Sequence, residues 1–309
     1  MRVTLQQLAY FLAVADTRHF TKAAGWMHVA QPSLSTQIRT LEHELGADLF
    51  SRARGNVSLT PAGEALLPVA RRILADVDVA RLEVAELAGL RAGRVRVGAT
   101  PSLCGSVFAD ALATFHRRHP GIRLLVKESG SRDLVAALTD GELDLALVIV
   151  SPAVNHSALT TAPVLRESLV LASPAAGGGW PGERDSVRLR ELRDRPLVMF
   201  REGYDLREAT LTACRRAGFE PTLAVAGGEM DAVLRFVEAG LGCAVVPSMV
   251  LAARPGLRGT RLVAPELRRT IAVAHRTDVA PTKAAAAFRA TLLDHLAEAA
   301  LPDGVELLR

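Results

Sequence analysis

The chain has 309 residues, with 37 Lys+Arg against 33 Asp+Glu for a formal net charge of +4 at pH 7. That length accommodates two to three domains, each able to bury a core. The charge is only mildly basic, and the first 60 residues hold six Lys/Arg against four Asp/Glu, so electrostatics alone names no nucleic-acid partner. No apolar run approaches the ~18 residues of a membrane helix. Cys104, Cys214 and Cys243 are odd in number and widely spaced, which excludes a disulfide scaffold and gives no metal-ligand spacing. They read as buried, inert thiols, with redox sensing as the alternative.

In chain order, Leu5, Leu8, Leu12 and Ala15 recur at helical spacing and predict a packed first helix. Ala13-Val14-Ala15 imitates a signal-peptide cleavage site, but Arg2 followed by Gln6-Gln7 is a poor cationic start. A cytoplasmic protein is expected. Residues 20–37 then read as two short helices meeting at a tight corner. Ala23 and Ala24 let a neighbouring helix approach, and Met27 and Val29 turn apolar side chains toward a core. Pro32 suits a first helical position, where its missing N–H costs nothing. From Pro32 to Leu45 the residues Leu34, Ile38, Leu41 and Leu45 form one stripe. The opposite face carries Ser33, Ser35, Thr36, Gln37 and Arg39. An anchored apolar back behind short or planar hydrogen-bonding groups fits a DNA major groove. A generic helical hairpin with a solvated face is the alternative, and the next segment weighs against it. Residues 46–60 predict a β-hairpin wing, with Gly46 ending the helix, Leu49 and Phe50 in the core and Gly55-Asn56 at the turn. Arg52 and Arg54 would project at its tip toward a minor groove or phosphate.

The run Phe20-Thr21-x-Ala23-Ala24, Gln31-Pro32-Ser33-Leu34-Ser35-x-Gln37-Ile38, Leu41-Glu42-x-x-Leu45-Gly46-x-x-Leu49-Phe50-x-Arg52 and Leu59-Thr60-x-Ala62-Gly63 resembles the amino-terminal signature of LysR-type transcriptional regulators. The resemblance covers most of residues 5–63. It implies that Gln31, Pro32, Ser33 and Ser35 lie at the DNA end of a recognition helix, with Thr21 nearby, and that wing arginines reach the minor groove. Two positions depart from the pattern. Ala30 stands where the family usually has Ser or Thr, so a hydroxyl that would cap the helix and touch phosphate is absent. Thr36 is uncharged where relatives often carry a basic residue.

Thr60-Pro61 begins a long helix predicted to run to about Leu90. Along it Leu66, Ala70, Ile73, Val77, Ala80, Val84 and Leu87 alternate spacings of 4 and 3, an a/d seam of the kind two helices need to pair, with packing on the chain's own domain as the alternative. Paired subunits place two recognition helices on the half-sites of an inverted repeat. Gly89 and Gly93 bracket the helix end as a hinge.

From Arg94 onward strands and helices alternate. A strand at Val95–Val97, a helix over Cys104–His119, a strand Ile122–Glu128, a helix Arg132–Asp140 and a strand Asp144–Val150 predict an open sheet with right-handed crossovers. A second set follows: strand Leu197–Phe200, helix Leu206–Ala217, strand Thr222–Ala226, helix Glu229–Ala239 and strand Cys243–Val246. Strand Ile271–His275 and a helix over 281–299 close the chain. Two such lobes resemble a periplasmic-binding-protein-like (type II) α/β sensor, as does Gly240-Leu241-Gly242-x-x-x-x-Pro247. The resulting expectation is an α/β chain: a winged helix-turn-helix over 1–60, a linker and dimerisation helix over 61–90, and an effector-binding domain over 91–309. Within that domain the resemblance puts lobe one at 91–162 plus 267–309 and lobe two at 163–266.

Ligands of open α/β sheets bind beyond the carboxyl ends of strands, where helix N-termini offer free N–H groups. That selects Thr100, Pro101 and Ser102 after the first strand, Ser129 to Ser131 after the second and Ile149 to Ser151 after the third. In lobe two it selects Phe200, Arg201, Gly203, Glu229, Val246 and Pro247. For each Ser or Thr, ordinary helix capping is the competing role. Arg201 at a strand end is suited to pair a carboxylate, with an ordinary exposed surface arginine as the competing reading. With the helix start near Thr100 and Ser102 favouring negative charge, a small anionic effector is expected.

No Gly-x-Ser-x-Gly elbow, phosphate loop or dinucleotide fingerprint occurs, and His116, His119 and His156 are isolated. No catalytic residue, metal site or cofactor is expected. A solute-capture protein on the same lobes would have no use for residues 1–60. The sequence therefore predicts a ligand-responsive regulator whose partners are double-stranded operator DNA, a second copy or a tetramer of itself, a metabolite and RNA polymerase.

Overall fold

A computed structural model describes residues 3–51, 57–86, 93–150, 157–176 and 180–308. Arg52, Arg54, the Gly55-Asn56 turn, Leu87, Gly89, Ser151 and His156 lie outside these. The chain forms two compact units, Met1–Gly89 with Thr139–Glu142, and Leu90–Leu138 with Leu143–Arg309.

In the N-terminal unit α1 spans Leu5–Thr17, α2 Phe20–Trp26 and α3 Gln31–Leu45; β1 (Phe50–Ser51) pairs antiparallel with β2 (Ser58–Leu59), and α4 spans Pro61–Glu86. Two of the helix starts carry side-chain caps. Thr4 and Gln7 form a reciprocal capping box on α1, and His19 Nδ1 accepts the Thr21 and Lys22 N–H groups at the head of α2. Leu8, Phe11, Val14, Ala23, Leu34, Ile38, Leu41, Leu49 and Phe50 form the core. The Phe50 ring lies 5.4 Å from Phe11 and 5.8 Å from Phe20, so the hairpin is fastened by aromatic packing. Glu42 is buried, and its carboxylate accepts the Leu49 and Phe50 N–H groups at 2.9 and 3.3 Å. Two residues depart from the sequence expectation: Leu45 and Leu5 are exposed. Leu45 is the last residue of α3, one turn past the point where the core can cover the stripe. Gly63 explains its own place in the motif, because a Cβ there would lie 2.2 Å from the Leu49 carbonyl oxygen.

The second unit contains β3 (Gly93–Ala99), α5 (Pro101–Cys104), α6 (Val107–Arg118), β4 (Ile122–Glu128), α7 (Ser131–Thr139) and β5 (Leu145–Val150). The long β6 (Leu159–Pro174) and short β7 (Ser186–Arg188) follow, then β8 (Leu197–Met199), α8 (Asp205–Arg216), β9 (Leu223–Ala226), α9 (Met230–Glu238) and β10 (Ala244–Pro247). β11 (Leu257–Val263), β12 (Leu267–Arg276), α10 (Lys283–Glu298) and β13 (Val305–Leu307) complete it. The helix expected over Cys104–His119 is two helices. Pro101 starts the first early, and Gly105 and Ser106 stand between them outside helical geometry.

The sheet order is β4-β3-β5-β12-β6-β11-β7, with β10 and β13 also on β6, and β8 pairs separately with β9. β3 runs parallel to β4 and β5, as crossover connections require. β6 and β12 are the strands both lobes share. β6 meets β12 along Leu159–Leu169, and β10 and β11 along Leu169–Pro174. Their register shifts at Ile271/Ala272, opposite Pro163 to Leu165, where a bulge accommodates the residue that lacks an N–H. One core gathers Leu103, Phe108, Phe115, Leu147 and Phe288, and another Leu171, Leu189, Phe200, Val233 and Val246.

Candidate functional site

α3 presents its first turn to solvent. Gln31, Pro32, Ser33, Thr36 and Arg39 are exposed, as is Thr21 on α2, while Leu34, Ile38 and Leu41 are fully buried behind them. The Gln31 amide donates to Ser35 Oγ at 2.9 Å, which leaves the amide oxygen uncommitted by that bond. The Thr36 hydroxyl donates to the Pro32 carbonyl at 2.9 Å. Gln37 is half-buried and accepts from Gln7 Nε2 at 3.2 Å, so it ties α3 to α1 rather than standing free. Ala30 is the N-cap residue and makes no side-chain cap. Ala30→Ser should therefore stabilise the N-terminal unit by about 1 kcal/mol, read as a higher urea midpoint with unchanged m.

The cleft residues separate into three groups. Thr100 and Ser102 are buried with their hydroxyls 3.3 Å apart. Thr100 makes no side-chain cap, so the capping role is not the one it plays. Ser102 Oγ accepts from Arg269 Nη2 at 2.9 Å. Arg269 in turn grips Glu167, with Nε at 2.8 Å and Nη2 at 2.7 Å from Oε2. Glu167 Oε1 accepts the Met249 N–H at 2.8 Å.

The second group lies between the two lobes. Ser129 Oγ donates to Asp133 at 2.9 Å, and Ser131 Oγ accepts the Ile149 N–H at 2.9 Å. The Ser131 backbone N–H, at the head of α7, donates to Asp205 Oδ2 of α8 at 3.2 Å. Arg201 is exposed but already paired, its Nε 2.5 Å from Glu229 Oε1. The Glu229 partner holds the Arg201 guanidinium above its usual range, chiefly through that hydrogen bond. An incoming carboxylate would compete with Glu229 for the Arg201 guanidinium. Gly203 takes φ +77 beside it, a left-handed turn that suits glycine.

The third group is core. Phe200 and Val246 are fully buried in the lobe-two cluster, Ile149 is buried in the lobe-one cluster, and Pro247 is buried as well. The Phe200, Val246 and Ile149 side chains pack into the hydrophobic cores of the two lobes. Strand ends point at a cleft, but alternation puts every second side chain behind it.

A model of the LysR substrate binding domain matches residues 88–297, and a model of the bacterial regulatory helix-turn-helix protein of the lysR family matches residues 5–64. The chain belongs to the LysR family. It is similar to the transcriptional dual regulator GltC of Bacillus subtilis (30% identity, covering 80% of this chain and 82% of that one). It is also similar to a probable hydrogen peroxide-inducible genes activator of Streptomyces viridosporus (33%, covering 94% and 95%). Similar solved structures include a full-length OxyR variant from Pseudomonas aeruginosa (26%, TM-score 0.72, covering 99% and 98%). Full-length CbnR complexed with its target DNA is another (26%, TM-score 0.68, covering 96% and 99%). The chain is accordingly a DNA-binding transcriptional regulator with a helix-turn-helix module and an effector-binding domain.

In this LysR-family regulator the heptad seam divides in two. Ala70 is fully buried in the N-terminal core and Leu66 is half-buried against it. The expectation that these two face a partner is corrected, because the start of α4 packs on its own domain. Ile73, Ala80 and Val84 are exposed and Val77 is half-buried, with Val84 72% exposed. Ile73→Asp with Val84→Asp should convert a dimer into monomers in sedimentation equilibrium while leaving the fold intact, since both side chains face water in the single chain. An unchanged sedimentation mass would place the pairing surface elsewhere.

Sequence reasoning passed over Glu128, Tyr204, Asp205, Glu167 and Arg269. The Gly203-Tyr204-Asp205 step before an amphipathic helix was the available signal for two of them. Among the described residues, no helix is long and apolar enough to cross a membrane, and no group of three or more His, Cys, Asp or Glu is placed to hold a metal ion.

Proposed function

We propose that this regulator binds operator DNA as a dimer or tetramer and changes its hold on that DNA when a small molecule occupies the cleft between its two lobes. In this reading residues 1–60 read DNA, with Thr21, Gln31, Pro32, Ser33, Ser35 and Arg39 on the contact face and Arg52 and Arg54 on the wing. Residues 61–90 pair subunits. Residues 91–309 sense the effector through Thr100, Ser102, Ser129, Ser131 and the Arg201–Glu229 pair. Effector binding shifts the population of lobe and subunit arrangements, altering the spacing of the DNA-reading heads and the recruitment of RNA polymerase. The protein acts in the cytoplasm and performs no catalysis. The observation that carries the reading is α3, whose exposed first turn of Gln31, Pro32 and Ser33 stands on a fully buried apolar back. A nuclease footprint on DNA upstream of its own gene tests it. A salt-sensitive protected stretch containing an inverted repeat is the expected result, and no protection by folded protein at any salt overturns it.

Thiol oxidation is a second reading, suggested by the peroxide-inducible relatives, and the cysteines argue against it. Cys214 and Cys243 are buried, Cys104 is partly so, and all three are free. Burial, reinforced by Glu128, pushes the Cys104 thiol up to about 12. Burial and then Glu220 push Cys214 up to about 11, and burial raises Cys243 against a lowering by Arg195. Reactive sensor thiols need the opposite shift.

A further inference from the structure

Between α3 and the hairpin the N-terminal unit has a hollow of about 980 Å³, lined by Arg39, Glu42 and His43 of α3, Asp48 of the connector and Ser51 of β1, among others. Gln31, Ser35, Arg39 and His43 succeed one another at intervals of four along α3, so they form one row on its surface. The row starts at the exposed first turn and ends in the hollow. In a duplex, one sugar-phosphate strand separates a major groove from the minor groove beside it. A helix in the first and a wing in the second leave that strand a path between helix and hairpin.

The charges of the hollow decide what it can hold. Glu42 is buried, and its carboxylate accepts the Leu49 and Phe50 N–H groups. The exposed charged and titratable groups in the lining are Arg39, Asp48 and His43. Among the described residues, none of these three side chains has a hydrogen bond or ion pair. With the imidazole neutral, Arg39 and Asp48 cancel. With it protonated, the exposed charge turns positive, and histidine makes that change across the physiological range. His43 also lies in the last turn of α3, where the helix carbonyls favour a cation.

We propose that this hollow seats the operator's phosphodiester strand between major and minor groove, with Arg39 and protonated His43 as its cationic contacts, so that DNA binding takes up a proton. The proposal rests on the reading of α3 and the hairpin as the DNA face. It adds His43 to that face and gives the affinity a pH dependence of fixed sign. The complex favours the charged imidazole and the free protein does not, so the hold on DNA tightens as pH falls through the imidazole range and is lost above it. The contact is with phosphate, so it acts on any duplex.

The test follows fluorescence anisotropy of the full-length protein on the footprinted operator and on an unrelated duplex of equal length, across a salt series at about pH 6 and about pH 8. For each subunit bound, both affinities should be about threefold to fivefold higher at the lower pH, the weight of an exposed ion pair. The salt slope should steepen there by about one, for one more neutralised phosphate. His43→Gln should abolish both differences and leave the unfolding curve in place, since the side chain is exposed and unbonded. Asp48→Asn should raise affinity at the higher pH by removing the charge that opposes Arg39. A wild-type salt slope equal at the two pH values overturns the proposal. So does a pH dependence that His43→Gln retains, which would assign it to His19 or His28. Specific binding lost in Gln31→Ala with Ser33→Ala, beside an indifferent His43→Gln, would keep the reading face and reject the hollow. Failure to bind either duplex would reject both.

Discussion

Replacing Arg269 with methionine should destabilise the sensing unit by about 3–5 kcal/mol, the cost of breaking a buried ion pair from one side. Glu167 is completely buried on β6, 102 residues before its partner in the chain. Without the guanidinium its Oε2 loses both donors and keeps company with nothing polar, while Oε1 retains the Met249 N–H alone. Ser102 loses its donor in the same step, so the start of α5 loosens at one wall of the cleft. For a unit of this size the loss corresponds to a fall in Tm of roughly 10 °C. Replacing both partners, Glu167→Met with Arg269→Met, should recover most of the stability, because two apolar side chains leave no uncompensated charge. Denaturant unfolding of the three proteins separates the cases. A loss below about 1 kcal/mol for the single variant would mean that water reaches Glu167.

The same pair marks the limit of what the sequence discloses. Where spacing alone determines structure, the reading is accurate. Leu34, Ile38 and Leu41 lie on the buried face of α3 and Gly46 closes it in the left-handed region at φ +72, while Ile122–Glu128 is a strand with the expected ends. β6 is not legible in the same way. Pro163 interrupts it, Glu167 in its middle resembles a solvent-facing residue, and a strand central to both lobes shows little alternation of burial. Its ladders to β10, β11, β12 and β13, with the bulge opposite Ile271/Ala272 and the distant Arg269, hold that sequence as a strand. The seam of α4 fails for a related reason. Period 3.5 marks a buried stripe without naming what buries it, and at Ala70 the answer is the chain's own helix-turn-helix core. The strand-end rule selected the Ser129–Ser131 loop but passed over Asp205, whose contact with the Ser131 N–H joins residues 74 apart in the chain.

Changing Gln31 and Ser33 together to alanine should weaken specific operator binding by about 2–4 kcal/mol, roughly 30- to 1000-fold, if each supplies one base contact. Both are exposed, and among the described residues the only bond lost is Gln31 to Ser35. The unfolding curve should therefore stay where it is. Non-specific affinity and the salt slope should also stay, because both arise from phosphate contacts that these side chains do not make. Gln37→Ala provides the contrast. It removes the bond to Gln7 that links α3 to α1, so it should lower stability and operator affinity together. A double variant with wild-type affinity would assign base reading to another surface, and one that lost specific and non-specific binding equally would make Gln31 and Ser33 phosphate contacts, positioning the helix without reading the sequence.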